Sequence, residues 1–204
     1  MSEYLVNGQP LPLESGRKTW AELLHGVDAR AAAQGEVVTA VRFRGVDQPT
    51  FRGAGIDGTA ITELGRVEID TMPRARLLRM TLGTAGLSVP EVAAGASSAA
   101  AAFRRGDPAD GHRRLSALLA TVRTLVELTL ASAAAAGTDL SELSCGTESA
   151  AGLLGAASVV LDSLAQHQRA GDWVALADGL EYDLAPALLQ WGVVFEVMQE
   201  RCAA

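Results

Sequence analysis

The chain has 204 residues, 49% of them apolar and 20% charged, the composition of a folded globular protein rather than a disordered one. Its net charge of -7, with no basic block, argues against nucleic-acid binding, because neutralising phosphates needs a clustered positive surface. Alanine dominates the apolar residues and aromatics make up only 4%, so thin cores and closely spaced helices are expected.

The nearest approach to a basic cluster is Arg74, Arg76 and Arg79, read as one solvated helix face. No stretch approaches the roughly 20 apolar residues a membrane helix needs. Met1-Ser2-Glu3-Tyr4 lacks the basic region and apolar core of a secretion signal. Cys145 and Cys202 are isolated and outside any metal-like spacing, so they read as reduced thiols. Together these features predict a cytoplasmic protein without a membrane span.

Residues 3 to 72 are strand-rich. Tyr4-Leu5-Val6 reads as a strand, Asn7-Gly8 as a hairpin turn and Leu11-Pro12-Leu13 as the returning strand. Pro10 and Pro12 donate no backbone hydrogen bonds, which places that strand at an edge. Ser15 to Lys18 reads as loop. Thr19 and Glu22 form a capping box for a helix whose buried stripe is Trp20, Leu23, Leu24 and Val27. Glu36 to Arg44 alternates, with Val37, Thr39, Val41 and Phe43 on one face and Val38, Ala40 and Arg42 on the other. Val46 to Phe51 is expected as a fourth strand, Gly53 to Gly58 as a loop and Arg66 to Asp70 as a fifth strand.

The run Val6-Asn7-Gly8, then Thr19 with Glu22-Leu23-Leu24, then Val38 to Arg44, resembles the small sulfur-carrier members of the ubiquitin-like β-grasp superfamily (the thiamine and molybdopterin type). The resemblance covers the first third of the chain and implies a β-grasp fold over residues 1–72. Those carriers act through a C-terminal Gly-Gly that is activated and thiolated. Here Thr71-Met72-Pro73 leads into helices and the chain ends Cys202-Ala203-Ala204, so the resemblance implies the fold and not the activity.

From residue 73 on, the pattern is helical, and an antiparallel four-helix bundle over 73–204 completes an α+β protein. Pro73 suits a first helical turn. Gly83 and Gly86 are expected to interrupt the helix from Arg74 to Leu82, with Ser88 and Glu91 recapping it. Val92 to Ala102 is almost all small, which predicts either close helix packing or a groove left open for a partner. Leu115, Leu118, Leu119, Val122, Leu125 and Val126 form a second seam that Gly137 stops. Thr147 is expected to cap a third helix carrying Ala150, Leu154, Ala157, Leu161 and Leu164. In the last helix Trp173, Ala177, Leu180, Leu184, Ala187, Trp191, Val194 and Met198 alternate steps of four and three, the seam of lengthwise packing. Pro186 removes the hydrogen bond to the Tyr182 carbonyl and predicts a kink. Gly106-Asp107 and Gly171-Asp172 each give a glycine stop and an aspartate cap, and Leu115 and Leu119 align with Leu180 and Leu184 as a faint internal repeat.

Catalytic patterns are weak. No nucleophile motif surrounds a serine or Cys145; His112, beside Arg113 and Arg114, reads as a solvated first-turn histidine, and His167 as a last-turn residue suited to the helix dipole. Asp178, Glu181 and Asp183 lie on one helix without the Glu-x-x-His of carboxylate-bridged metal sites. Gly53 to Gly58 carries no phosphate-binding lysine. No catalytic residue, cofactor or metal is therefore expected. The chain reads as a non-enzymatic cytoplasmic adaptor or chaperone for another protein, such as a secreted or filament-forming subunit, and as a potential homodimer. Candidate partner-binding residues are Ala96, Ala100, Phe103, Trp173, Tyr182 and Trp191. The alternative is a small-ligand binder or enzyme with a pocket between the bundle and the sheet, Trp173, Tyr182 and Trp191 forming its wall.

Overall fold

A computed structural model describes residues 3–12 and 18–202. The chain is mixed α+β and divides into two compact units, Met1–Leu77 and Leu78–Ala204. The expected strand residue Leu13 and loop residues Ser15 to Arg17 lie outside the described residues.

The first unit contains β1 (Tyr4–Val6), β2 (Gln9–Pro10), α1 (Trp20–Ala33), β3 (Glu36–Phe43), β4 (Val46–Asp47), two one-turn helices α2 (Ala54–Asp57) and α3 (Ile61–Leu64), and β5 (Val67–Pro73). They form one sheet of order β2-β1-β5-β3-β4, in which only β1 and β5 run parallel. Asn7 and Gly8 both take positive φ, as a tight hairpin turn requires, and β1 pairs with Gln9 and Pro10. The Thr19–Glu22 capping box is present. Trp20, Leu23, Val27, Val41, Val67 and Ile69 are buried at its core. Trp20 meets the Phe43 ring edge-on at 5.0 Å and donates its indole N–H to the Phe51 carbonyl at 2.7 Å.

Four expectations change here. Thr39 is an extra residue between the Val38–Thr71 and Ala40–Asp70 pairs, so β3 carries a bulge and simple alternation fails. Val38 and Val41 are consequently its two buried residues. The fourth strand shrinks to Val46–Asp47, because the chain then turns so that the Phe51 carbonyl reaches Trp20. The segment from Gly53 to Gly58 contains α2. Pro73 ends β5 opposite Glu36 instead of opening a helix.

The second unit is helical, apart from a small hairpin. Helix α4 (Arg74–Arg104) starts in the first unit and continues unbroken through Gly83 and Gly86. These glycines are contact positions and not interruptions. A Cβ on Gly86 would lie 3.7 Å from the Phe195 Cβ, and one on Gly83 would meet Gln199 at 2.9 Å. Helix α5 (Pro108–Ala136) follows the Gly106-Asp107 turn and ends at Gly137 in the left-handed conformation. A hairpin of β6 (Ser144–Cys145) and β7 (Glu148–Ser149) follows. Thr147 sits in that hairpin, so Ser149 caps α6 (Ala150–Ala170), accepting from the Gly152 N–H at 3.1 Å. The Gly171-Asp172 turn leads to α7 (Trp173–Asp178), a π-helical segment at Gly179–Leu184, and α8 (Ala185–Arg201).

The π-helical turn is how the chain accommodates Pro186. The ring removes one α-helical bond, and just before it the ladder widens so that the Ala185 N–H reaches the Leu180 carbonyl. One seam position changes after the wider turn: Leu188 is 1% exposed, while the expected Ala187 is only half-buried. Ala177, Leu180, Leu184, Trp191, Val194 and Met198 are buried as expected, and Trp173 is half-buried.

Helix α5 departs from the expectation of no membrane-length segment. An 18-residue window of it reaches a mean hydropathy of 1.4, long and apolar enough by composition to cross a membrane. Arg123 and Glu127 break the apolar pattern of this helix in the sequence, and in the structure the two pair with each other at 2.8 Å. Leu115, Leu118, Val122, Leu125 and Ala133 of the same helix are buried in the core of the unit.

Candidate functional site

Helix α4 has two faces of small residues that do different things. Ala93, Ala96, Ala99, Ala100 and Phe103 point inward, and Ala96 and Ala100 are fully buried. A partner would have to open the unit to touch either of these two, so neither offers it a surface. One step round the helix, Ser88, Glu91, Val92, Gly95 and Ser98 form one wall of a groove of about 440 Å³. Arg114, Ala117, Leu118 and Thr121 of α5 form the other wall. A Cβ on Gly95 would lie 3.6 Å from Leu118 Cδ1, an ordinary contact, so a methyl fits there without displacing the facing helix. The floor is apolar, and the rim carries hydroxyls, one carboxylate and one guanidinium.

At the Arg114 end of this groove the turn between α4 and α5 gathers charge. The Asp110 side chain is only 12% exposed and accepts from Arg114 Nε at 2.8 Å and from Arg113 Nη2 at 2.5 Å. Arg105 approaches the same carboxylate at 3.8 Å. Arg114 Nη1 also donates to Ser98 Oγ at 2.8 Å, which ties the cluster to the groove wall. Hydrogen bonding from Arg114, with the charges of Arg114 and Arg113, holds the Asp110 carboxyl below its ordinary range. The sequence contains signals for part of this, since Asp110 to Arg113 and to Arg114 are helical i,i+3 and i,i+4 pairs. Arg105 joins from the turn just past the end of α4, and no local pattern announces it.

Phe103 and Trp173 are brought together. Their rings stack at 5.7 Å with an interplanar angle of 11°, and the His112 ring meets both edge-on at 5.3 and 5.1 Å. Gly111 makes room for this, because a Cβ there would sit 2.7 Å from the Phe103 ring. The three rings fasten the two Gly-Asp turns to each other within the unit. Both turns have the same form: Gly106 and Gly171 take positive φ, and Asp107 and Asp172 each accept a backbone N–H three residues on at 3.0 Å. The alignment fails further along, where Leu119 is 38% exposed while its counterpart Leu184 is fully buried.

Tyr182 and Trp191 sit elsewhere. Tyr182 is 65% exposed and lies against the Arg104 guanidinium, 5.5 Å from it. Arg104 is claimed by Asp178 at 2.8 Å and by Glu181, which push its guanidinium well above its ordinary value. Trp191 is 3% exposed and donates its indole N–H to Thr129 Oγ1 at 3.1 Å. It stands 18 positions beyond Trp173, roughly 27 Å along a helix, so the two tryptophans do not share one pocket wall.

His112 faces Gln168 at 3.4 Å and His167 faces Ser163 at 3.3 Å, while Asp178 and Glu181 are held by Arg104 rather than by a histidine. Both cysteines are free, and burial raises the Cys145 thiol. Among the described residues no three His, Cys, Asp or Glu side chains are disposed to hold a metal ion. No protein-family model matches the chain, and neither a curated protein nor a solved structure does so.

Proposed function

We propose that this is a non-enzymatic cytoplasmic interaction protein, an adaptor or chaperone that holds an amphipathic segment of another protein in the groove between α4 and α5. In this reading the first unit is a β-grasp module; its support is the strand order β2-β1-β5-β3-β4 with a parallel central pair. The second is an antiparallel four-helix bundle of α4, α5, α6 and α7–α8. Contacts of Gly83 with Gln199, Gly95 with Leu118 and Gly179 with Leu164 support that arrangement, each joining neighbouring helices of opposite direction. The observation that carries the functional reading is the outer face of α4, where Val92 and Gly95 leave an apolar floor open beside a polar rim. Helix-in-groove recognition needs this combination, an apolar trough for one face of the guest and polar edges to fix its register.

Gly95→Phe tests it by filling the trough. The full chain and the variant are each used as bait in the native host, and the bound proteins are compared by mass spectrometry. The variant should lose the partners of the wild-type chain while melting at the same temperature. Equal capture by both baits contradicts the reading.

A further inference from the structure

The groove has a polarity. Three guanidinium groups, Arg105, Arg113 and Arg114, converge on the single Asp110 carboxylate, which leaves two positive charges unanswered by it at one end of the groove. Asp107 lies nearby, but its Oδ1 accepts the Asp110 N–H as the cap of α5. Arg113 and Arg105 have side chains 75% and 61% exposed, and an arginine has five N–H donors, so most of theirs face solvent. Asp110 therefore holds the cluster together without neutralising it. Glu91 stands toward the other end, seven residues and about 10 Å along α4 from the Ser98 that Arg114 touches.

We propose that the Arg105–Arg113–Arg114 cluster receives the acidic end of the bound segment, so that the guest is an acidic amphipathic peptide of fixed direction. The inference rests on the groove reading and adds the chemistry of the guest. Carboxylates match the planar guanidinium fork, and the apolar floor next to Arg114 takes the guest's aliphatic side chains one to two turns from its acidic residues. Glu91 repels an acidic residue placed at the wrong end, which sets the direction. A nucleic acid fits poorly, because the trough beside the arginines is apolar and the chain carries a charge of -7.

The test uses the full chain and a displayed library of short amphipathic helical peptides with acidic, basic or neutral residues at the polar positions. The wild-type protein should enrich peptides with Asp or Glu gathered at one end. Labelled copies of these should bind about tenfold more weakly to Arg105→Gln/Arg113→Gln, and more weakly to the wild type at raised salt. Arg114 is left in place because it also anchors Ser98, so the double variant should keep the wild-type melting temperature. Peptides without acidic bias that ignore the double variant but are blocked by Gly95→Phe would overturn this inference and leave the groove standing. Peptides indifferent to both variants would overturn the groove as well.

Discussion

The two faces of α4 show how little composition says about role. Ala96, Ala99 and Ala100 on one side are fully buried, and their small size lets neighbouring helices close over them. Gly95 and Ser98 on the other side are equally small, yet they border open space. What separates them is the helical phase of each residue relative to α5 and α8. Polarity offers a partial cue, since serines, glycine and Glu91 collect on the groove side while alanines fill the core side.

The sharpest way to break this comparison is to put a charge on the inner face. Ala96→Glu buries an unpaired carboxylate and should cost on the order of 4 kcal/mol or more, enough to unfold the helical unit. Circular dichroism melts would show it, and an unchanged melt would mean that the inner face is not packed.

Glycine substitutions sharpen the same contrast. Gly111→Ala drives a methyl into the Phe103 ring, itself stacked on Trp173, and should destabilise by about 1–3 kcal/mol. Denaturant titration in a Phe103→Leu background should recover much of that loss; no recovery would assign the cost to something other than the ring. Gly95→Ala meets only an ordinary contact and should stabilise by about 0.5–1 kcal/mol through helix propensity. A destabilised Gly95→Ala would show that the groove is narrower than described.

The smallest expected effect is acidic. Asp110 has its carboxyl lowered in the folded chain, so its stabilising contribution is present above the usual aspartate range near pH 3.9. That contribution is lost as pH falls through the lowered folded value. Urea midpoints measured across acid pH should drop less steeply for Asp110→Asn than for the wild type. Parallel profiles would mean that the arginines leave the Asp110 titration unchanged.

Local features were legible in the sequence. The Thr19–Glu22 box, the Asn7-Gly8 hairpin and both Gly-Asp turns appear where the residues placed them, because each depends on neighbours within four positions. Failures came where distant partners decide. The Thr39 bulge depends on β5 pairing, the continuity of α4 on Phe195 and Gln199, and the burial of Leu188 in place of Ala187 on how the ladder yields before Pro186. Of the candidate site residues, Phe103 and Trp173 do meet, but Ala96, Ala100 and Trp191 are interior and Tyr182 stands apart over Arg104. The arginine cluster is not legible in the sequence, because Arg105 stands eight residues before Arg113 and the three guanidinium groups converge only across the turn between α4 and α5.

Hydrogen exchange of the full chain, with and without a peptide selected as above, tests the central claim most directly. The account predicts added protection in α4 from Ser88 to Ser98 and in α5 from Arg114 to Thr121, with the remaining helices unchanged. Protection confined instead to the exposed Leu189 and Val193 side of α8 would contradict it.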